Sequence, residues 1–188
     1  PRWVDPNGPG TRHNRRVGER SNVGTICLVN ALFPPHGHGG AENYVRRAAE
    51  GLAARGHAVS VVTTGPYEGR DSLRPARERR DGYDVWRFAP INVSHLSEGT
   101  GSTVLGKALY RGLDLANLPA ARTVGRLFDR LEPDVVHTNN LFGISTLVGR
   151  AVGRRGIRHV HTLHDYGLLC PKSSLLRDLT APEGERTV

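Results

Sequence analysis

The chain has 188 residues and a formal net charge of +8, and this length suits one α/β domain with a sizeable core, with or without tails. No apolar run approaches the roughly 20 residues that span a bilayer, nothing resembles a secretory signal, and the two cysteines do not indicate a disulfide framework. We therefore expect a soluble, cytoplasmic protein, with contact to the inner face of the membrane left open.

The positive charge of the chain is carried almost entirely by arginine. Lys107 and Lys172 are the only lysines among 26 basic residues, so the other 24 are arginines, which is typical of a skewed codon composition. Nucleic-acid-binding segments cluster their cations and interleave aromatic residues, whereas these arginines are spread along the chain. We expect no nucleic-acid partner, and a modest attraction to anionic lipid or phosphorylated ligands stays open.

The first third of the chain reads as an arm followed by a β-α-β unit. Residues 1–22 are rich in Pro, Gly, Asn and Arg and predict a flexible basic arm. Residues 23–30 form an apolar, β-branched run typical of a buried strand, and the glycine-bearing turn 36–40 follows. Apolar residues at helical spacing predict a helix over 41–55, with Tyr44 among the inward positions. An extended pattern over 57–64 predicts a second strand, which completes the unit.

The glycine turn is open to two interpretations. Free N–H groups and the positive dipole end at a helix start bind phosphates or polar ligands, and glycines allow such a ligand to approach. Gly37, Gly39 and Gly40 do not form the spaced dinucleotide fingerprint, because Glu42 stands where a third glycine would be needed. The alternative is that these glycines only permit a tight strand-to-helix turn.

The middle of the chain is less regular. Residues 65–82 are polar without periodicity and predict a mobile loop, and 83–89 alternate apolar and polar residues, which predicts a half-exposed strand toward a sheet edge. Residues 91–101 predict a further loop. Two helical stretches follow over 102–117 and 118–131, with Pro119 at their junction.

The last third repeats the strand-helix-strand order. We predict a buried strand over 134–138, a helix over 141–154 and a strand over 158–163, in which His159 and His161 are structural. The complete order indicates an α/β protein with a Rossmann-like, open, mostly parallel sheet and helices on both faces.

Polar residues follow three of the predicted strands. The clusters lie at 36–42, 137–140 and 164–166, where the carboxyl ends of parallel strands meet at one edge, and this convergence favours a ligand site. Local alternatives stay open for each cluster: His164 and Asp165 can bond the nearby backbone, His137 can be a structural donor, and Asn139 or Asn140 can cap the next helix. His36 and His38 lack the spacing of metal ligands, so we expect no metal.

Four motifs together resemble one known family. Gly-Gly-Ala-Glu at 39–42 opens a helix, Leu-Ala-Ala-Arg-Gly-His at 52–57 ends it, Pro-Asp-Val-Val-His follows at 133–137, and Thr-Leu-His-Asp-Tyr at 162–166 precedes Leu-Cys-Pro. In this order they resemble the amino-terminal, acceptor-side domain of GT-B fold glycosyltransferases, specifically the retaining enzymes of family four. The match covers about residues 23–172, and we expect 173–188 to be an irregular tail toward a missing donor-binding domain.

The resemblance implies a function and partners. In that family two Rossmann-like domains face each other; the first holds the acceptor, and the second holds the nucleotide-sugar with a pair of glutamates. We therefore expect the acceptor-binding half of a glycosyltransferase that transfers a sugar from a nucleotide-sugar to an unidentified sugar or lipid-linked acceptor with retention. The isolated domain should be inactive and need its donor-binding domain in cis or in trans, and we expect no cofactor beyond the nucleotide-sugar co-substrate.

The resemblance also implies site residues. Gly39 and Gly40 would face the donor diphosphate, and His164 would be catalytic. The substrate-binding residues would be Glu42, His137, Asn139, Asn140, Asp165 and Tyr166. The alternative function is a non-catalytic Rossmann-like module that binds a phosphorylated or sugar ligand or a partner protein.

Overall fold

The computed structural model describes residues 23–90, 117–141 and 143–164. The predicted arm 1–22, the loop 91–101, nearly all of the helix predicted for 102–117 and the tail 173–188 lie outside these residues. None of the described helices is long and apolar enough to cross a membrane. The described elements are strands β1 Thr25–Val29, β2 Ala58–Thr64, β3 Ala76–Arg80, β4 Tyr83–Phe88, β5 Val135–Thr138 and β6 Arg158–His161, and helices α1 Gly40–Ala54, α2 Leu118–Leu131 and α3 Val148–Arg154.

The six strands form one open sheet in the order β3-β4-β2-β1-β5-β6. Every neighbouring pair is parallel except β3 and β4, which pair antiparallel. In the central register Cys27 of β1 lies opposite Ser60 of β2 and Val136 of β5. This arrangement confirms the predicted α/β class with an open, mostly parallel sheet.

Helices cover both faces of the sheet. Leu28 of β1 packs in one core cluster with Val45 and Ala49 of α1, whereas Cys27 of the same strand packs in a second cluster with Val124 of α2 and Val148 of α3. Alternate side chains of a strand point to opposite faces, so a strand buried on both sides needs the continuous apolar run seen at β1. Complete burial of the Cys27 thiol raises its pKa to about 12.

Helix α2 has the bounds predicted for it, 118–131, because local signals mark both ends. The Asn117 side chain accepts a hydrogen bond of 3.0 Å from the Ala120 N–H, and Pro119 occupies the first turn. Glu132 ends the helix in the left-handed conformation, with φ of 44°, and its N–H donates to the Phe128 carbonyl.

The predicted loop over 65–82 is wrong, because this segment contains a 3-10 helix, Arg70–Leu73, and strand β3. Strand β3 has exposed, mostly charged side chains, so it shows no apolar periodicity, and Arg77 pairs with Asp84 of β4 at 2.9 Å. Charged side chains are typical of an edge strand. Backbone pairing with β4 therefore stabilises a strand that the hydrophobic pattern does not reveal.

The predicted half-exposure of residues 83–89 is also wrong, although their strand lies toward one edge of the sheet. Strand β4 lies between β3 and β2, and its side chains at Tyr83, Val85, Trp86 and Phe88 are buried. The polar residues that suggested exposure have partners instead. Asp84 pairs with β3 arginines, and the Arg87 guanidinium donates to backbone carbonyls of the loop after β1.

The helix predicted over 141–154 is too long. Helix α3 begins only at Val148, and turns precede it, with Gly143 in the left-handed conformation at φ of 82°. Asn140 therefore does not cap a helix, which removes one of its two interpretations. Strand β6 likewise ends at His161, two residues earlier than predicted.

Candidate functional site

The loops after β1 and β5 are held together at the carboxyl edge of the sheet. The Ala31 N–H donates to the Asn140 carbonyl at 2.7 Å, and the Asn140 N–H donates to the side-chain oxygen of Asn30 at 3.0 Å. The Asn30 amide nitrogen in turn donates to the Leu32 carbonyl at 2.6 Å. Asn30 is fully buried, and it fixes the chain that leads to the glycine turn against the chain that follows β5.

Three of the predicted site residues meet above these strand ends. The distance between His164 Nε2 and Asn139 Oδ1 is 3.0 Å, and His137 Nε2 lies 2.8 Å from the Thr162 hydroxyl. The Tyr44 ring of α1 contacts both imidazoles, with centroid distances of 5.1 Å to His164 and 6.1 Å to His137. One group of aromatic and polar side chains thus joins α1, the end of β5 and the segment after β6.

The hydrogen bond to Asn139 determines which nitrogen of His164 carries a proton. The Asn139 side chain is buried, and its nitrogen faces the carbonyls of Val29 and His137 at 3.5 and 3.4 Å, so its oxygen accepts from His164. His164 Nε2 is therefore the donor. In the neutral imidazole Nδ1 is left as an acceptor, and the exposed position of His164 makes it accessible to a hydroxyl group.

Burial favours the neutral form of two imidazoles, those of His137 and His159. Burial lowers the pKa of His137, and the charges that His164, His161 and His159 would carry lower it further. Burial also lowers the pKa of His159, with a smaller contribution from His161. Neutral imidazoles donate and accept hydrogen bonds at the same time, which suits the hydroxyl groups of a sugar.

His159 and His161 form a separate arrangement on β6. His159 Nε2 and His161 Nδ1 each lie 2.8 Å from the hydroxyl oxygen of buried Thr138. Val160, between the two histidines in the chain, is 48% exposed. A hydroxyl has one hydrogen, so at least one of the two imidazoles donates to it. The prediction that both histidines are structural agrees with these bonds.

The start of α1 shows why its glycines differ. A Cβ on Gly37 would lie 2.7 Å from the Leu32 Cβ, and a Cβ on Gly39 would overlap the Glu42 carboxylate, whose side chain folds back over the turn. A Cβ on Gly40 would meet nothing within 4 Å. Packing therefore requires Gly37, a side chain at position 39 would displace the Glu42 carboxylate, and Gly40 keeps open the space above the helix start.

Tyr44 and Asn30 belong to this site but were not predicted in it. The helical pattern placed Tyr44 in the core, yet it is 43% exposed and contacts the two imidazoles. Its position one turn after Gly40 was the available signal, since residues i and i+4 share a helix face. Asp165 and Tyr166 lie outside the described residues. Among the residues that are described, no group of three metal-binding side chains occurs.

The fold and this site define a class of protein. An open parallel sheet places its ligands beyond the carboxyl ends of its strands, and the polar side chains meet at that edge here. The chain matches the sequence model of the glycosyl transferase 4-like domain over residues 39–188. It belongs to this family, which confirms the resemblance to the amino-terminal domain of family-four glycosyltransferases.

Similar proteins include an uncharacterised 42.6 kDa protein from the cps region of Klebsiella pneumoniae. The two sequences are 34% identical over 157 residues, which is 81% of the present chain. The chain spans only 40% of the length of that relative. Among solved structures, an OtsA apo structure has a TM-score of 0.43 and 15% identity, covering 76% of this chain and 33% of that chain. The α,α-trehalose 6-phosphate synthase from Burkholderia multivorans has a TM-score of 0.39 and 16% identity, covering 75% and 32%.

Proposed function

We propose that this chain is the acceptor-binding part of a glycosyltransferase that moves a sugar from a nucleotide-sugar to a sugar or lipid-linked acceptor with retention. The observation that supports this best is the meeting of His137, Asn139 and His164 beside the start of α1. The site combines hydrogen-bond donors and acceptors with an aromatic ring, Tyr44, and this composition suits a polyhydroxylated ligand.

In this proposal His164 is the catalytic residue of the chain. Loss of a nucleoside diphosphate builds negative charge on the leaving group and positive charge on the sugar, so hydrogen bonds fixed at the cleft lower the barrier. Asn139 orients the imidazole ring of His164 by accepting a hydrogen bond from Nε2. This leaves Nδ1 to accept a hydrogen bond from a hydroxyl group of the sugar. His137, Asn140, Asp165 and Tyr166 complete the substrate contacts.

The glycine turn has a divided role. The helix start favours the donor diphosphate at the Gly39 and Gly40 amides, but the buried Glu42 carboxylate beside Gly39 repels phosphate. The open space above Gly40 is therefore where a phosphate approaches, and Glu42 accepts hydrogen bonds from substrate hydroxyls. No metal or cofactor is needed for these contacts.

The donor side of the reaction belongs to a second domain in this proposal. Because the chain spans 40% of its Klebsiella relative, a nucleotide-sugar domain in cis or in trans completes the cleft. We place the protein in the cytoplasm, where nucleotide-sugars would reach it, and a lipid-linked acceptor would bring it to the inner face of the membrane. The chain by itself should transfer no sugar.

The test uses the full-length protein with several nucleotide-sugars and cell-extract acceptors, with products detected by mass spectrometry. His164→Ala should lower kcat about 100- to 1,000-fold, as expected for removing one group that stabilises developing charge. The matched control is His36→Ala, since His36 is also an exposed histidine and lies outside the proposed contacts. Ligand binding without turnover would support the non-catalytic module instead, and equal rates for both variants would contradict the role of His164.

A further inference from the structure

A groove of about 390 Å³ runs between α2 and α3, on the face of the sheet opposite α1. Five exposed arginines line it, although they are spread over 34 positions of the sequence from Arg122 to Arg155. Two belong to α2 and two to α3, and the fifth follows α3. The arginines are Arg122, Arg126, Arg150, Arg154 and Arg155.

Most of this charge has no counterpart in the described part of the chain. Only Arg155 has a carboxylate partner there, Asp129, at 2.7 Å from Nε. Gly125 makes this pair fit, because a Cβ at that position would lie 3.2 Å from an Arg155 guanidinium nitrogen. The other four guanidinium groups are left to interact with solvent or with a ligand.

The spacing of the four unpaired arginines brings like charges together. Arg122 and Arg126 are four residues apart on α2, as are Arg150 and Arg154 on α3, so each pair shares a helix face. Like charges at this spacing destabilise a helix by a few tenths of a kcal/mol. Anions bound in the groove would relieve the repulsion on both helices at once.

We propose that this groove binds the phosphate headgroups of an anionic membrane surface. Arginine pairs with phosphate through two parallel hydrogen bonds. None of the five arginines is buried, so the groove does not enclose a single phosphate and instead presents its cations over an open face. Leu118, at the groove's end and 46% exposed, adds an apolar contact suited to the headgroup boundary. Among the described residues that line the groove none is aromatic, which disfavours nucleic-acid bases.

The test is sedimentation of the full-length protein with vesicles of phosphatidylcholine alone or mixed in equal parts with phosphatidylglycerol. Each arginine near an anionic surface strengthens binding about fivefold, so Arg126→Gln with Arg150→Gln should weaken it about 25-fold. The matched control is Arg47→Gln with Arg74→Gln, which removes the same charge from exposed positions of α1 and the segment before β3. It should weaken binding far less.

The outcomes distinguish binding to membrane headgroups from binding to free phosphate or to nucleic acid. Selective loss in the groove variant, with normal far-UV circular dichroism, supports the proposal. Equal loss in both variants, no difference between the two vesicle types, competition by millimolar inorganic phosphate in constant ionic strength, or tighter binding to duplex DNA than to vesicles would each overturn it. The result is independent of the proposed sugar transfer, which is measured with soluble donors and separate variants.

Discussion

Replacing Asn30 by Ala should loosen the edge of the sheet that carries the candidate site. The side chain is fully buried and makes two hydrogen bonds, accepting from the Asn140 N–H at 3.0 Å and donating to the Leu32 carbonyl at 2.6 Å. Each bond contributes about 1 kcal/mol, and leaving the backbone groups without partners adds to the loss, so we expect about 2–4 kcal/mol of lost unfolding free energy.

Urea unfolding followed by circular dichroism measures this loss. Asn43→Ala is the control, because Asn43 is exposed on α1, and the change there should stay within about 0.5 kcal/mol. Asn30→Asp refines the test: a carboxylate still accepts from the Asn140 N–H but has no hydrogen for the Leu32 carbonyl, so this variant should also be destabilised. A loss below about 0.5 kcal/mol for Asn30→Ala would refute the reasoning.

Three further predictions follow from the same side-chain environments. Gly37→Ala should lower the unfolding free energy by about 1–3 kcal/mol because the new Cβ would overlap Leu32. Gly40→Ala should leave the unfolding free energy unchanged or raise it, and it should reduce sugar transfer by filling the open space. Equal effects of the two variants on stability would contradict the steric account. Burial raises the pKa of Cys27 from 9.0 to about 12, so the thiol of the unfolded chain ionises first as the pH rises. The unfolding free energy should therefore fall by up to about 1.4 kcal/mol per pH unit between these two values. In urea titrations at alkaline pH, Cys27→Ala should show a shallower fall of unfolding free energy with pH. Burial lowers the pKa of His137 below 6.5, so the unfolded state binds more protons below that pH and stability should fall on acidification. His137→Gln should weaken this pH dependence, and an unchanged dependence in that variant would contradict the reasoning.

The local signals of the chain predicted most of its elements. Helix α2 has its predicted bounds because Asn117, Pro119 and Glu132 act within one turn of its ends. The apolar runs of β1 and β2 and the helix stop at Gly56 also follow from residues that are adjacent in sequence. Parallel strands separated by helices then brought the carboxyl ends together, which is why His137, Asn139 and His164 could be predicted to meet.

The sequence by itself determined the class of fold, the family and the edge at which polar residues gather, because periodicity, caps and motifs are properties of neighbouring residues. Only the tertiary structure decided that β3 pairs with β4, that Tyr44 faces the imidazoles, and that arginines of two helices line one groove. These features depend on contacts between residues distant in the chain. Backbone pairing, shared helix faces and buried amides such as Asn30 leave no periodic signal, since their partners are defined only when the sheet is assembled.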